Sequence, residues 1–261
     1  MPRSAHSESR AVLAALVLPL FAASGSGRYD ISVNHERTGF AATIRGGRLE
    51  GIRYSITQRI AAASEKEARQ AALSIAVTME RQSGSSRLTF PGSSQSVHLD
   101  VPRSASLLTV VSAAGDIDVA EIEGSIFTRN GAGRTILDRI GGNAEILTAR
   151  GATRFGLIGG NVHCVSGGGP IQARTIRGAS VFESRGGEIY AAEAFGAVQA
   201  YTGAGSIRIG HAGTTVTAAT EGGPIDIARA GGEVVAHNSG GPIRVSSAPA
   251  SAARPHPAPF A

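Results

Sequence analysis

Three consecutive stretches of 18 residues decide the fold: GPIQARTIRGASVFESRG (169–186), GEIYAAEAFGAVQAYTGA (187–204) and GSIRIGHAGTTVTAATEG (205–222). Each stretch begins with a glycine and has an isoleucine two positions later. Self-similarity at a fixed period is the signature of a repeat architecture. The 18-residue register continues in both directions, from Leu99 to Val245, without insertion or deletion. The repeat therefore organises most of this 261-residue chain.

Two columns of the repeat carry its geometry. The first column is glycine in eight successive repeats: Gly115, Gly133, Gly151, Gly169, Gly187, Gly205, Gly223 and Gly241. The anchor column two residues later is mainly isoleucine: Ile117, Ile171, Ile189, Ile207, Ile225 and Ile243. The columns two and eleven residues after the anchor are mostly apolar, so each repeat contains two short strands with one buried face. A second glycine column, seven residues after the anchor, marks a corner between the strands.

A repeat of strand, turn, strand and turn predicts an all-β fold, a single-stranded β-helix or β-solenoid. Residues 96–246 would form about nine coils of 18 residues. Each coil would pair its backbone with the coils above and below it, at a spacing of about 4.8 Å. Successive coils must stack to complete each other, because one coil cannot bury a core alone.

A polar column follows thirteen residues after each anchor: Ser112, Asn130, Thr148, Ser166, Ser184, Thr202, Thr220 and Asn238. These side chains are expected to form hydrogen bonds along the rod and to stabilise its turns. Cys164 is the single cysteine and lies in the inward column eleven residues after the anchor. We therefore predict a buried, inert thiol and no internal disulfide.

The first 27 residues are predicted to be a signal peptide. Arg3 and Arg10 precede an apolar run that ends at Ala23, and small residues follow it. The run is shorter than the roughly 20 apolar residues that span a bilayer, so no integral membrane span is expected after cleavage. The predicted location is therefore outside the cytoplasm, in the periplasm, at the cell surface or in the medium.

The segments that flank the repeat are predicted to differ from it. Residues 28–95 show alternating strand patterns and, from Ser64, a capping box that opens a short helix. This small strand-helix-strand segment would cap the open edge of the solenoid. Residues 247–261 are rich in alanine and proline and predict a disordered tail. The last coil is then expected to be weakly protected or to pair with a partner, including end-to-end self-association.

Charge and composition exclude one class of partner. The net charge of +5 resembles that of nucleic-acid-binding proteins, but residues 99–246 contain twelve arginines against thirteen carboxylates. The positive excess lies outside the solenoid, and no basic stripe with interleaved aromatic residues is present in the sequence. We therefore expect no nucleic-acid partner, and no motif predicts a cofactor.

Acidic residues are concentrated near the start of the solenoid. Asp100 and Asp118 share one column, which predicts adjacent coils, and Asp116 lies close in the period. Such like charges need neutralisation. These three carboxylates are a candidate Ca²⁺ site, and the region from Asp100 to Asp138 is a candidate for the acids of a polysaccharide-active enzyme. The favoured interpretation is a surface ladder of alternating charges with neighbouring arginines.

Two short motifs carry a resemblance to a known family. The sequence VHLDVP at 97–102, followed by GDIDV at 115–119, resembles the bacterial putative-adhesin domain family of unknown function. It is similar also to adhesin-head GIN domains. The resemblance implies a β-helical fold in an envelope or surface protein, with adhesion as the function by analogy of fold. It implies no catalytic residue.

The sequence thus predicts a non-enzymatic, exported, adhesin-like scaffold that binds a glycan or an envelope protein. Tyr190 and Tyr201 have outward parity in their strands and are the candidate binding aromatics. Two alternatives stay open from the sequence: a polysaccharide-active enzyme that uses the acidic region, and a periplasmic accessory protein in envelope-stress signalling.

Overall fold

The computed structural model describes residues 11–20, 30–35, 40–49, 51–61, 66, 67, 70, 78–82, 85–89 and 96–247. In chain order its strands are β1 (Ala11–Leu20), β2 (Asp30–His35), β3 (Ala41–Gly47), β4 (Ile52–Ala61), β5 (Thr78–Gln82), β6 (Ser85–Thr89), β7 (Ser96–Pro102), β8 (Leu107–Ser112), β9 (Ile117–Ile122), β10 (Ser125–Ala132), β11 (Thr135–Ile140), β12 (Ala144–Arg150), β13 (Thr153–Ile158), β14 (Val162–Ser166), β15 (Ile171–Ile176), β16 (Ser180–Ser184), β17 (Ile189–Ala194), β18 (Val198–Thr202), β19 (Ile207–Ala212), β20 (Val216–Thr220), β21 (Ile225–Ala230), β22 (Val234–Asn238) and β23 (Ile243–Val245).

The strands form two sheets that run along a rod of stacked coils. From β9 onward the odd-numbered strands lie in the first sheet and the even-numbered strands in the second. Neighbouring strands are parallel and offset by 18 residues, so that Ile171 lies beside Ile189 and Cys164 beside Phe182. This confirms the predicted all-β solenoid, with about eight turns. The ninth predicted coil is incomplete, because β23 has three residues and ends its sheet.

The core is a narrow layer between the two sheets. Anchor residues from Ile171 to Ile225 are fully buried, and the second sheet faces them with small or medium side chains such as Ala200 and Val216. Two larger side chains also lie in this layer, Phe155 on β13 of the first sheet and Phe182 on β16 of the second, with ring centroids 6.2 Å apart. Small residues opposite isoleucine explain how an 18-residue coil closes around a filled interior.

Strands from the N-terminal segment interleave with the first coils. In the first sheet β3 lies between β7 and β9, and in the second sheet β2 lies between β8 and β6. The prediction that Asp100 and Asp118 occupy adjacent coils is therefore wrong, because β3 separates their strands. Periodicity within the repeat does not reveal a strand that joins the stack from outside the repeat.

The sheets change direction at their N-terminal ends. In the first sheet β4 is antiparallel to β7, and β1 is antiparallel to β4. The apolar run assigned above to a signal peptide thus forms β1, and its cleavage stays a prediction. Of the predicted short helix, Lys66, Glu67 and Gln70 are described and are helical. The predicted tail lies outside the described residues, apart from Ser247.

No helix in the described part of the chain is long and apolar enough to cross a membrane.

Candidate binding groove

A long groove crosses the strands of the second sheet. It extends from Val111 on β8 to Ser239 after β22 and has a volume of about 1680 Å³. Three neighbouring columns of the repeat line it, those twelve, thirteen and fourteen residues after the anchor, and Arg150 joins them from the next position. Eight successive coils contribute to it. The groove is therefore a product of the repeat and runs along the rod.

The middle column of the groove is the predicted polar column, and its side chains are engaged with the backbone. Four of them donate a hydrogen bond to the carbonyl oxygen of a column glycine fifteen residues earlier: Asn130 to Gly115 at 3.0 Å, Thr202 to Gly187 at 2.9 Å, Thr220 to Gly205 at 2.9 Å and Asn238 to Gly223 at 2.6 Å. Each of these bonds connects one coil to the coil before it. Because most of the column is buried, contacts with a ligand must come from the residues on either side of it.

The glycine column lets the coils approach closely at the adjoining corner. A Cβ built on Gly205 would lie 2.2 Å from the carbonyl oxygen of Gly187, and one on Gly223 would lie 2.2 Å from that of Gly205. Gly115, Gly133 and Gly151 also have positive φ angles of 107–118°. Only glycine adopts this backbone at no steric cost. The column thus sets the coil spacing along this side of the groove.

The exposed side chains on either side of the polar column are the ones that can contact a ligand. Arg129, Arg150 and Arg185 are exposed and line the groove, together with two glutamates, Glu183 and Glu221. Of the two predicted binding aromatics, Tyr201 lines the groove with 37 % of its surface exposed. Tyr190 is 40 % exposed but lies on β17 of the first sheet. The structure therefore places the two tyrosines on different sheets.

The acidic residues singled out above lie outside the groove, beside basic side chains. Asp118 accepts two hydrogen bonds of 2.9 Å from Arg45. Asp116 accepts bonds from the side chain of Arg134 at 3.0 Å and from its backbone N–H at 2.8 Å. Asp100 lies 3.4 Å from Nε2 of His98. This arrangement favours the predicted ladder of alternating charges.

The rest of the acidic region follows the same pattern. Arg139 pairs with both Glu121 and Asp138, and Asp138 also accepts a bond of 3.1 Å from the backbone N–H of Leu157. Across the described residues, no group of three or more His, Cys, Asp or Glu side chains is arranged to hold a metal ion. The Ca²⁺ site stays a prediction that this geometry does not favour.

Sequence reasoning missed the partner of Asp118. Arg45 lies on β3, outside the repeat, and its hydrogen bond to Asp118 raises the pKa of the guanidinium, against the opposing effect of burial. The alternation of small or apolar and polar residues over Ala41–Gly47 is a signal for a strand. That pattern does not indicate which strands β3 pairs with.

Cys164 is fully buried on β14. Burial raises the pKa of its thiol to about 12. A thiol that stays protonated and inaccessible is inert, in agreement with its inward column.

Comparison with known proteins finds similar folds at low identity. No protein-family model matches the chain, and no curated protein matches its sequence. Among solved structures, it is similar to a putative adhesin from Parabacteroides merdae, with 11 % identity, a TM-score of 0.40 and coverage of 89 % of this chain and 96 % of the other. It is also similar to a putative lipid-binding protein from Parabacteroides distasonis (10 % identity, TM-score 0.35, coverage 89 % and 96 %) and to a putative cell adhesion protein from Clostridium sporogenes (8 % identity, TM-score 0.27, coverage 90 % and 99 %).

Proposed function

We propose that this protein is an exported, non-enzymatic scaffold that binds a linear glycan in the groove of its second sheet. The observation that carries the proposal is the continuity of the groove over eight coils. Seven steps between coils, at about 4.8 Å each, give a length of roughly 34 Å. Sites for small molecules are compact and bury most of the ligand, whereas an open groove of this length fits an extended polymer.

The position of the acidic residues supports a non-enzymatic role. Asp116, Asp118 and Asp138 lie in or beside the first sheet, form ion pairs and do not line the groove. A glycosidase needs one carboxyl group as an acid and a second as a base or nucleophile, both beside the scissile bond. The residues of the enzyme alternative are therefore separated from the surface that would hold a polysaccharide. No observation favours the envelope-stress alternative.

Blocking the groove tests the proposal. Ala149 is exposed within the groove, and Ala228 is exposed on the first sheet. Ala149→Cys and Ala228→Cys would each be coupled to a polyethylene glycol maleimide. The reagent does not reach Cys164, because that thiol is buried. We expect labelled Ala149→Cys to lose binding on a glycan array and labelled Ala228→Cys to keep it.

Two results would contradict the proposal: no glycan bound by the unmodified protein, or equal binding by the two labelled variants. Crosslinking in the native host identifies an envelope protein if that is the true ligand. Fractionation of the same cells tests export, and retention of the chain in the cytoplasm would contradict it.

We also propose that the rod self-associates through its C-terminal end. Ile243 in β23 is 43 % exposed, whereas its counterpart Ile225 is completely buried. Both β22 and β23 are the last strands of their sheets. The sequence that follows contains prolines at 249, 255, 257 and 259. Since proline has no N–H to donate, that sequence is poorly suited to extend either sheet, and a second copy is the better partner.

Light scattering over a range of concentrations tests this association. Ile243→Lys should yield a monomer at concentrations where the unmodified protein is a dimer. Phe195→Lys is the matched control, because Phe195 is also apolar and exposed but lies between β17 and β18, away from the terminal strands. A monomeric unmodified protein, or equal disruption by both variants, would overturn the proposal.

A further inference from the structure

We infer that the glycan bound in the groove is anionic, with its acidic groups held by Arg129, Arg150 and Arg185. The inference rests on the proposed function and adds the chemical class of the ligand. It follows from a difference between the arginines of the groove and those elsewhere on the rod.

Most arginines outside the groove have an acidic partner. Seven form ion pairs within 4.0 Å: Arg45, Arg103, Arg134, Arg139, Arg174, Arg208 and Arg244. None of the seven lines the groove. Of the nine arginines at 96–247 outside the groove, six are thus paired within the protein, and three form no ion pair among the described residues: Arg154, Arg177 and Arg229.

The three arginines of the groove differ from these seven. Within the described residues, Arg129, Arg150 and Arg185 form no ion pair, although Glu183 lies two positions from Arg185 in the sequence. All three are exposed. A guanidinium with free donors binds a carboxylate or sulfate through two parallel hydrogen bonds. These side chains are available to an anionic ligand without first breaking an internal pair.

The arginines are spaced along the direction of the groove. Arg129 lies on β10 and Arg150 ends β12, the neighbouring strand, whereas Arg185 follows β16, two strands further. At about 4.8 Å per coil, Arg150 and Arg185 are separated by roughly 10 Å along the rod. A linear polysaccharide with an acidic group on alternate sugars presents charges at a similar interval, about the length of a disaccharide.

The two halves of the groove offer different contacts. Its lining from Val111 to Ser166 contains two arginines and no carboxylate, so this half is positive. Its other half contains Arg185, the acids Glu183 and Glu221, and the exposed ring of Tyr201. An aromatic ring supplies a flat apolar surface with a polar hydroxyl at its edge. We assign the charged groups of the glycan mainly to the first half and a sugar ring to Tyr201.

A combined variant with a matched control tests the inference. Arg129→Gln, Arg150→Gln and Arg185→Gln together remove the three groove charges. Arg154→Gln, Arg177→Gln and Arg229→Gln together remove three exposed, unpaired charges outside the groove and change the net charge equally. The probes are polygalacturonate and its neutral, fully methylated ester, and chondroitin sulfate and its neutral, desulfated and carboxyl-reduced form. Thermal unfolding verifies that both variants fold.

We expect at least one acidic probe to bind the unmodified protein about 10-fold or more tightly than its neutral counterpart. The groove variant should lose that difference, and the control should keep it. Affinity should also fall as salt is raised, because exposed charges are screened.

Each other outcome has a defined meaning. Equal binding of acidic and neutral forms, with the groove still required, overturns the anionic ligand and leaves the proposed function intact. Equal losses in the two variants show unspecific attraction and also overturn the inference. Absence of binding to any glycan overturns both proposals. Tighter binding of an oligothymidylate than of every acidic glycan would reassign the groove to nucleic acid.

Discussion

Gly187 lies where one coil approaches the next, and this makes it a sensitive position. A Cβ built there would lie 2.2 Å from the carbonyl oxygen of Gly169, whereas one on the adjacent Gly186 has no neighbour within 4 Å. We expect Gly187→Ala to lower the free energy of unfolding by about 1–3 kcal/mol, because the coils must move apart. Gly186→Ala should change it little or raise it by up to about 1 kcal/mol. Urea denaturation measures both values, and equal losses would contradict the close-packed corner.

Because Cys164 is buried, we predict that the free energy of unfolding falls at alkaline pH. Its pKa is about 12 in the folded protein and about 8.5 in an unfolded chain. Between these values the unfolded thiol releases its proton while the folded thiol retains it. The contribution of this thiol to the free energy of unfolding is therefore fully present below about pH 8.5, and it falls by about 1.4 kcal/mol for each pH unit above that value.

The variant Cys164→Ala isolates that effect. It should lower stability at neutral pH by roughly 1–2 kcal/mol through the lost packing, but its stability should decline less steeply between pH 8.5 and 10. Urea denaturation across this range compares the two proteins. Parallel pH profiles would show that the thiol does not contribute, and rapid reaction of the native thiol with a disulfide reagent at pH 8 would contradict its burial.

At the scale of the strand, two buried threonines are predicted to have opposite effects on stability. Thr202 ends β18 and donates a hydrogen bond of 2.9 Å to the carbonyl oxygen of Gly187 in the preceding coil. The hydroxyl of Thr128 on β10 is fully buried and has no hydrogen-bond partner among the described residues. Burial of a hydroxyl without a partner costs free energy.

Replacement of each threonine by valine tests this difference. Thr202→Val should destabilise the protein by about 1–3 kcal/mol, because an acceptor in the groove corner loses its donor. Thr128→Val should stabilise it by about 1 kcal/mol, because an unpaired polar group is removed at nearly constant volume. Thermal and urea denaturation report the sign of each change. A loss of stability in both variants would show that Thr128 has a partner.

The strands that were predictable are those that obey the period. Glycine and isoleucine columns determine β9 to β22, since each coil repeats the contacts of its neighbour. The insertion of β3 between β7 and β9 was not predictable, because alternation identifies a strand and does not identify its partners. The groove follows the same logic. The columns on either side of the polar column are visible in the sequence as outward positions, but whether they line a concave surface depends on how the backbone bends at the corners.

At the scale of the whole molecule, self-association would change how strongly the rod binds. The groove follows the length of the rod, so two chains joined at their C-terminal ends would present two copies of it on one particle. A polymer long enough to reach both binds the second groove intramolecularly, at a high effective concentration. Weak binding by a single groove is then compatible with firm attachment to a surface that carries many copies of the glycan.

The rod should be least stable at its C-terminal end, because the last coil has a neighbour on one side only. In a stack of repeats, each coil is stabilised by its own contacts and by its interfaces with adjacent coils. We expect Ile225→Ala to lower the free energy of unfolding by about 2–5 kcal/mol, as for a buried core residue. Ile243→Ala should lower it by about 0.5 kcal/mol or less, as for an exposed residue.

Native-state hydrogen exchange measures independently how local stability varies along the rod. Amides of β22 and β23 should exchange faster than those of β17 to β19, since strands with few buried contacts open at lower cost. The exchange should be measured at a concentration where the protein is monomeric. At higher concentration, a second copy that covers Ile243 should slow exchange in β22 and β23 and leave β17 to β19 unchanged. Uniform protection along the monomeric rod would show that the terminal coil is covered by its own chain, and it would then remove the basis for end-to-end association.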